Sequence, residues 1–377
     1  MLSKEPFRDV VLLGAGASRA AGLPSAAGFT EHLLAASRAL RTLSVSPEVL
    51  DEIYKDLVWL QDTQARLHPI SQKLNGFNPN NIEDIFRVWG HERIQSKIQI
   101  SDLPDNLIPG YQYPRLIRML ALALAYSPKY LSARDFHYPN IYSWLVEQLV
   151  GNKDLTQEGT HPPIVVTTNY DLLIEFAISA RSDVDLTYTY SDYYGLQNIF
   201  HREQTARCIF HYLKLHGSIN WWGERPGFRV NRDAVRNTII CDNPLVALAE
   251  RYISAGDDIE MVPPAILKDT IYRANWVDVW DEAYTAFCTC RQLIIIGYSF
   301  SQGDILAHNM LTLGLARSPY LKSIIVIDPN ANEVLSRIKN YFSEDFISSK
   351  KWISYEHPFD DDILHWAPSN LFFSEKK

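Results

Sequence analysis

The chain has 377 residues, 46% hydrophobic and 21% charged, a globular composition long enough for a large α/β unit with an insertion or for two domains, and one that excludes wholesale disorder. Its net charge of -8 excludes broad binding to phosphate backbones, which draws on a basic surplus, so no direct nucleic-acid partner is expected. The four cysteines, Cys208, Cys241, Cys288 and Cys290, are too few and too irregularly spaced for a disulfide framework or a paired zinc site.

In chain order, the first residues, "MLSKEPFRDV", lack the apolar core of a signal peptide, and no apolar run reaches a bilayer's thickness. A cytoplasmic protein with no membrane partner is the expectation. "DVVLL" (9–13) reads as a buried strand running into the turn "GAGAS". Phe29, Leu33, Ala36, Leu40 and Leu43 then recur at helical spacing, and "YPRLIRMLALALAYS" (113–127) is a second helix, with the break "NGFNPNN" (75–81) between them. Strand signals return at 163–168, 208–215, 237–240, 292–297, 323–328 and 351–356. The helix at 276–287 carries Trp276, Val279, Trp280, Ala283 and Phe287 on one side. Nearly unbroken apolar strands alternating with helices predict an α/β fold, a Rossmann-like parallel sheet with crossover helices on both faces. Residues 1–28 and 160–377 are assigned to that domain, and 29–159 to a mainly helical insertion after the first strand-helix unit.

The glycine turn offers backbone N–H groups and a helix N-terminus to a phosphate, with Gly14 and Gly16 permitting close approach. A dehydrogenase fingerprint would need a third glycine at 19, where this chain has Arg19, which disfavours a hydride carrier. Three further stretches, "VVTTNYD" (165–171), "KLHGSINWW" (214–222) and "IIIGYSFSQGD" (294–304), put polar residues at the carboxyl ends of predicted strands, where open α/β sheets bind ligands.

These motifs resemble the sirtuin-like family. Its pattern of a GAG-x-S turn, G-[IL]-P, T-x-N-x-D and a His-Gly pair is matched by Gly14, Ala15, Gly16 and Ser18, then Gly22, Leu23 and Pro24, then Thr167, Asn169 and Asp171, then His216 and Gly217. Protein-deacylating members follow G-I-P with Asp-Phe-Arg, whereas Ala26 and Ala27 stand here where the Phe and Arg would be. They also carry a four-cysteine zinc module that this chain cannot supply, so no metal is expected. The similarity is fuller to the bacterial sirtuin-like group of anti-phage defence, through "NIEDIF" (81–86), "TTNYD", "LHGSINW", "VPPAILK" (262–268), "NWVDVWDEA" (275–283), "GYSF" and "IDPN" (327–330).

That resemblance implies an NAD+ glycohydrolase with NAD+ as substrate, depleting the cell's pool in abortive infection. Asn169 is expected to orient ribose hydroxyls or water through its amide, and His216 to act as general base. Asp171 either meets the nicotinamide carboxamide or caps the helix after it. Ser18 and the 14–16 backbone are expected to hold phosphate, and Arg19 either joins them or is a solvated surface residue. Thr168 lies beside Asn169 in the same motif; Gly297 and Ser299 would line the adenosine side, Tyr298 either packs in the core or contacts the pocket, and Asp328, with Asn330 nearby, would hold the adenosine ribose. A homo-oligomer is expected, licensed by a neighbouring-gene product such as a HerA-type ATPase. Competing expectations are a sensor that binds NAD or ADP-ribose without cleavage, and a protein deacylase or ADP-ribosyltransferase.

Overall fold

The fold is described from a computed structural model over residues 9–25, 28–75, 77–86, 109–126, 141–150, 163–179, 184–187, 208–222, 244–250, 252, 259–261, 274–300, 304–367 and 371. Ala26 and Ala27, Trp276's side chain and the strand expected at 237–240 lie outside these residues. The chain forms two compact units, one of residues 1–21, 135–216 and 272–377, the other of 22–134 and 217–271.

The first unit is built on seven strands: β1 (Val10–Leu13), β2 (Ile164–Thr167), β3 (Val184–Thr187), β4 (Cys208–Lys214), β7 (Gln292–Ile296), β8 (Ser323–Ile327) and β9 (Lys351–Tyr355). Their order is β3-β4-β2-β1-β7-β8-β9, and each neighbouring pair is parallel. It is the expected Rossmann-type sheet with helices on both sides. β1, β2, β7 and β8 are buried along their whole length, as strands covered on both faces must be, and that is why they read as Val, Leu and Ile apart from Thr167, Gln292 and Ser323 at their ends. β3 is a strand that periodicity did not announce: four residues, with Leu186 buried, are too short to show alternation.

The helices of this unit are α4 (Ile141–Val150), α5 (Leu173–Ser179), α7 (Ala274–Cys288), α8 (Ile305–Arg317), α9 (Ala331–Lys339), α10 (Glu344–Ser348) and α11 (Ile363–Trp366). Gly314 lets α8 lie close on α7, because a Cβ there would come within 2.6 Å of Phe287 Cβ. On α7, Val279, Ala283 and Phe287 are buried.

The second unit holds α1 (Phe29–Leu40), α2 (Pro47–Ser71), α3 (Pro109–Ala125), α6 (Pro244–Glu250) and the antiparallel pair β5 (Gly217–Trp222) and β6 (Ile259–Met261). Phe29, Leu33, Ala36 and Leu40 are the buried face of α1, as their spacing predicts. Leu43 falls in the turn beyond the helix. The partition differs from a single insertion over 29–159. Residues 217–271 join α1, α2 and α3, because β5 pairs with β6 and α3 packs on α6, β5 and β6, while α4 packs on α5 in the first unit. No helix among the described residues is long and apolar enough to cross a membrane.

Candidate active site

Register brings the strand ends level. Leu13 lies opposite both Thr167 and Ile296, Thr167 opposite Lys214, and Ile296 opposite Ile327. The sequence just past each of these residues therefore gathers at the carboxyl edge of one sheet. The chain leaves β1 toward β2 on one side and returns to β7 on the other, so this edge includes the switch point at which such sheets bind ligands.

The glycines are demanded first by packing. Gly14 N–H donates to the Ile296 carbonyl at 3.0 Å and Gly16 N–H to the Gly297 carbonyl at 2.8 Å. A Cβ on Gly14 would lie 2.5 Å from Tyr298 Cα, one on Gly16 2.8 Å from Gly297 Cα, and one on Gly297, at φ +60°, 2.2 Å from Ala17 N. Three glycines thus allow two strand-end loops to cross at backbone contact. The segment after Gly14 is a 3-10 helix, Ala15–Ala21, whose Ala17 N–H returns to Gly14 O at 2.9 Å. The Tyr142 hydroxyl donates to Ala17 O at 2.7 Å from α4. Since the Gly14 and Gly16 amides are engaged by β7, the groups this turn leaves for a phosphate are the Ala15 N–H, which has no partner among the described residues, and the exposed Arg19 guanidinium.

Asn169, Ser18 and Asp171 form one buried network. The Asn169 amide nitrogen donates to Gly14 O at 2.8 Å and to Ser18 Oγ at 3.0 Å. A backbone carbonyl only accepts, so this contact fixes which end of the amide faces the turn. Ser18 Oγ in turn donates to Asp171 Oδ2 at 2.6 Å, and Asp171 Oδ1 receives Leu173 N–H at 3.2 Å. Ser18 and Asp171 are thereby occupied in tying the turn to the start of α5, the capping alternative for Asp171. Asn169 keeps its carbonyl oxygen as an acceptor with no partner among the described residues. Its own N–H is held by Thr167 Oγ1 at 3.0 Å, and that hydroxyl donates to Leu13 O at 3.0 Å. Thr168 is half-buried beside it, its N–H on Leu13 O at 3.3 Å.

His216 stands two residues beyond β4, next to that loop, because Leu215 N–H continues the ladder onto Thr167 O at 2.8 Å. It is buried. Its ring lies 6.0 Å from that of Tyr170 and 6.4 Å from that of Trp280, whose indole N–H donates to Leu215 O at 2.9 Å. Its Nε2 lies 3.4 Å from Asp304 Oδ1, and Asp304 Oδ2 receives the Tyr298 hydroxyl at 3.1 Å. Burial first, and then the Asp304 carboxylate, hold Tyr298 well above the usual phenol range, so it remains a donor. Tyr298 is therefore committed to Asp304 through its hydroxyl.

Asp304, the last residue of the stretch at 294–304, is not among the site residues expected from the sequence. Nor are Lys214 and Glu175, an ion pair of 2.7 Å with both side chains fully buried. Lys214 Nζ also donates to the Asp171 carbonyl, so β4 holds the loop that carries Asn169. Burial pushes the Glu175 carboxyl up, and the Lys214 ammonium offsets that in part. A lysine and a glutamate, each inside an apolar run, were the available signal, since buried charges must find each other.

On the other side of β1, Gly297 is buried and its N–H meets Ile327 O at 3.0 Å. Ser299 is exposed, and its carbonyl accepts from Arg337 at 2.7 Å. Asp328 Oδ1 takes the Asn330 N–H at 2.8 Å in a turn that opens α9, with Asn330 exposed at its N-cap. Among the described residues no group of three His, Cys, Asp or Glu could hold a metal ion, and Cys288 and Cys290 are free thiols.

A family model described as the SIR2-like domain matches residues 163–348. Residues 163–348 thus carry a SIR2-like domain. The matched span contains Asn169, Asp171, His216, Tyr298, Asp304 and Asp328, and the glycine turn outside it is hydrogen-bonded to residues within it. No curated protein matches the chain. Among solved structures it is similar to a Sir2 mutant with a p53 peptide and NAD, at 12% identity over 96% of this chain and 92% of that one, TM-score 0.34. It is also similar to a Sir2 homologue triple mutant with 2'-O-acetyl ADP ribose (14%, 94% and 88%, TM-score 0.36) and to a sirtuin studied for substrate affinity (14%, 95% and 95%, TM-score 0.34). A SIR2-like domain suggests NAD binding and sirtuin-type, NAD-dependent activity.

Proposed function

We propose that this chain is an NAD+ glycohydrolase, cleaving NAD+ with water to nicotinamide and ADP-ribose, in the role that its resemblance to the anti-phage sirtuin-like group implies. One observation carries the reading. The Asn169 amide is fixed so that its carbonyl oxygen alone remains to accept, and an imidazole backed by a carboxylate ends the adjoining strand. A pure nucleotide sensor needs no such base.

The chemistry asks little more of the protein. The bond between ribose C1' and the nicotinamide nitrogen breaks, its electron pair leaves on the ring, and a water oxygen bonds C1'. The Asn169 carbonyl oxygen accepts from a ribose hydroxyl or from that water and fixes its approach. His216 takes the water's proton, a contribution of roughly 10²- to 10⁴-fold in rate. The Ala15 N–H and the Arg19 side chain are the groups offered to phosphate, and Asp328 Oδ2 to the adenosine ribose. An enzyme that empties its host of NAD+ must be restrained, so assembly or a partner protein licenses turnover.

The test is hydrolysis by the purified full chain with no acyl-lysine peptide present. Equimolar nicotinamide and ADP-ribose are expected. Nicotinamide released only when an acylated peptide is added would instead indicate a deacylase, and tight NAD+ binding with no product in any assembly state would indicate a sensor.

A further inference from the structure

Asp304 occupies the N-cap position of α8, with φ −118° and ψ 45°, yet its side chain makes no capping hydrogen bond. Such a cap is worth about 0.5–2 kcal/mol when made. The carboxylate is turned instead to His216 Nε2 and to the Tyr298 hydroxyl, and all three residues are buried. The geometry points to Asp304 as the positioning residue of His216, selecting its tautomer and ring orientation for NAD+ cleavage, with Tyr298 holding the carboxylate in place. This rests on the hydrolase reading of the site.

The argument is one of donors and acceptors. A carboxylate only accepts, so a neutral imidazole facing it must carry its proton on Nε2, and its lone pair is then on Nδ1, the nitrogen that can take a proton from water. Tyr298, kept as a phenol, can only donate to the second oxygen, which fixes the plane of the carboxylate. The 3.4 Å contact is longer than a made hydrogen bond, as such pairs often are before substrate arrives, and closing it takes a shift of about 0.5 Å. Tyr170 and Trp280 lie beside the ring, and the contact of Nε2 with Asp304 opposes a flip about the Cβ–Cγ bond, which would put Cε1 there instead.

The experiment uses the full chain and five variants: Asp304→Asn, Tyr298→Phe, His216→Ala, His216→Gln and the double variant Asp304→Asn with His216→Ala. Asp304→Asn should lower kcat for NAD+ by roughly 10²- to 10⁴-fold with KM within about threefold, and Tyr298→Phe by roughly fivefold. In the double variant, Asp304→Asn should add no more than about a twofold loss to that of His216→Ala, since residues acting as one unit are not additive. A further loss of the full single-variant size would show an independent role and overturn the assignment.

A second readout needs no turnover. In the chain labelled with 15N-histidine, the resonances lost in His216→Gln identify this ring. They should report the Nε2–H tautomer in the wild type and a shift toward Nδ1–H in Asp304→Asn. An unchanged tautomer refutes the positioning role whatever the kinetics. A wild-type chain that never cleaves NAD+ removes the hydrolase reading, and the tautomer still decides what Asp304 does.

Discussion

Asp56 in one compact unit and Asp304 in the other are both buried in polar clusters, and the two clusters differ in what surrounds the carboxylate. Asp56, on α2, is fully buried and receives Arg118 Nε at 2.6 Å and Nη2 at 2.8 Å, Arg115 Nε at 2.7 Å and the Tyr252 hydroxyl at 2.7 Å. Arg118 also lies over the Tyr252 ring, 4.9 Å from its centre. Burial first, then Asp56, raise Tyr252 well above the usual phenol range. Among the described residues Asp304 instead faces the His216 imidazole at 3.4 Å and the Tyr298 phenol at 3.1 Å. Guanidinium groups never give up their protons, so the Asp56 cluster is a fixed clamp between α2, α3 and residue 252. An imidazole exchanges its proton near neutral pH, so the same carboxylate chemistry at Asp304 serves a group that can react. Burial alone does not separate structure from function; the donors do.

That contrast is breakable. The largest effect on stability is expected from Asp56→Ala, which removes the carboxylate shared by two guanidinium groups and a phenol and leaves Arg118 only Glu52 among the described carboxylates: a loss of about 3 kcal/mol or more, or roughly 10 °C in melting temperature. Melting within a degree of wild type would make the cluster ornamental. Gly297→Ala comes next, since its φ of +60° and a backbone atom 2.2 Å from the new Cβ should cost about 2 kcal/mol or more and weaken NAD+ binding by displacing the turn. Gly28→Ala is the control, because its nearest neighbour, Ser25 Oγ, is 3.6 Å away, and thermal melts should differ by a degree or two at most. Asp304→Asn should shift melting far less than Asp56→Ala while lowering kcat far more; matched losses of stability would erase the distinction.

The smallest effect is one of pH. His32 donates from Nε2 to Tyr126 O at 2.7 Å, and burial lowers its affinity for protons, partly offset by that bond. The folded state then binds fewer protons than the unfolded one, so this contribution is present above about pH 6.5 and is lost as pH falls. The drop in melting temperature between pH 7.5 and pH 5.5 should therefore be smaller in His32→Gln than in wild type.

The sheet was legible because β1, β2, β7 and β8 are covered on both faces and carry polar residues only at their ends, and the site was legible where polar residues follow those runs. Other features were not. β5 and β6 pair although α6 lies between them in the chain, and nothing local in "GSINWW" announces a partner some 40 residues away. Asp304 and Lys214 owe their roles to partners distant in the chain, which one residue type at one position does not disclose. The glycine turn was read as a phosphate cradle, yet the Gly14 and Gly16 amides are spent on β7, a packing demand that only the pairing of β1 with β7 reveals.

The central claim is that Asn169 and His216 act on the substrate's glycosidic carbon rather than merely shape a binding site. Its most direct test is nicotinamide release by wild type, Asn169→Ala and His216→Ala, with NAD+ affinity measured on the same preparations by calorimetry. Each substitution is expected to lower kcat by roughly 10²-fold or more while NAD+ still binds and the fold still melts cooperatively. Undiminished nicotinamide release from either folded variant would contradict the account.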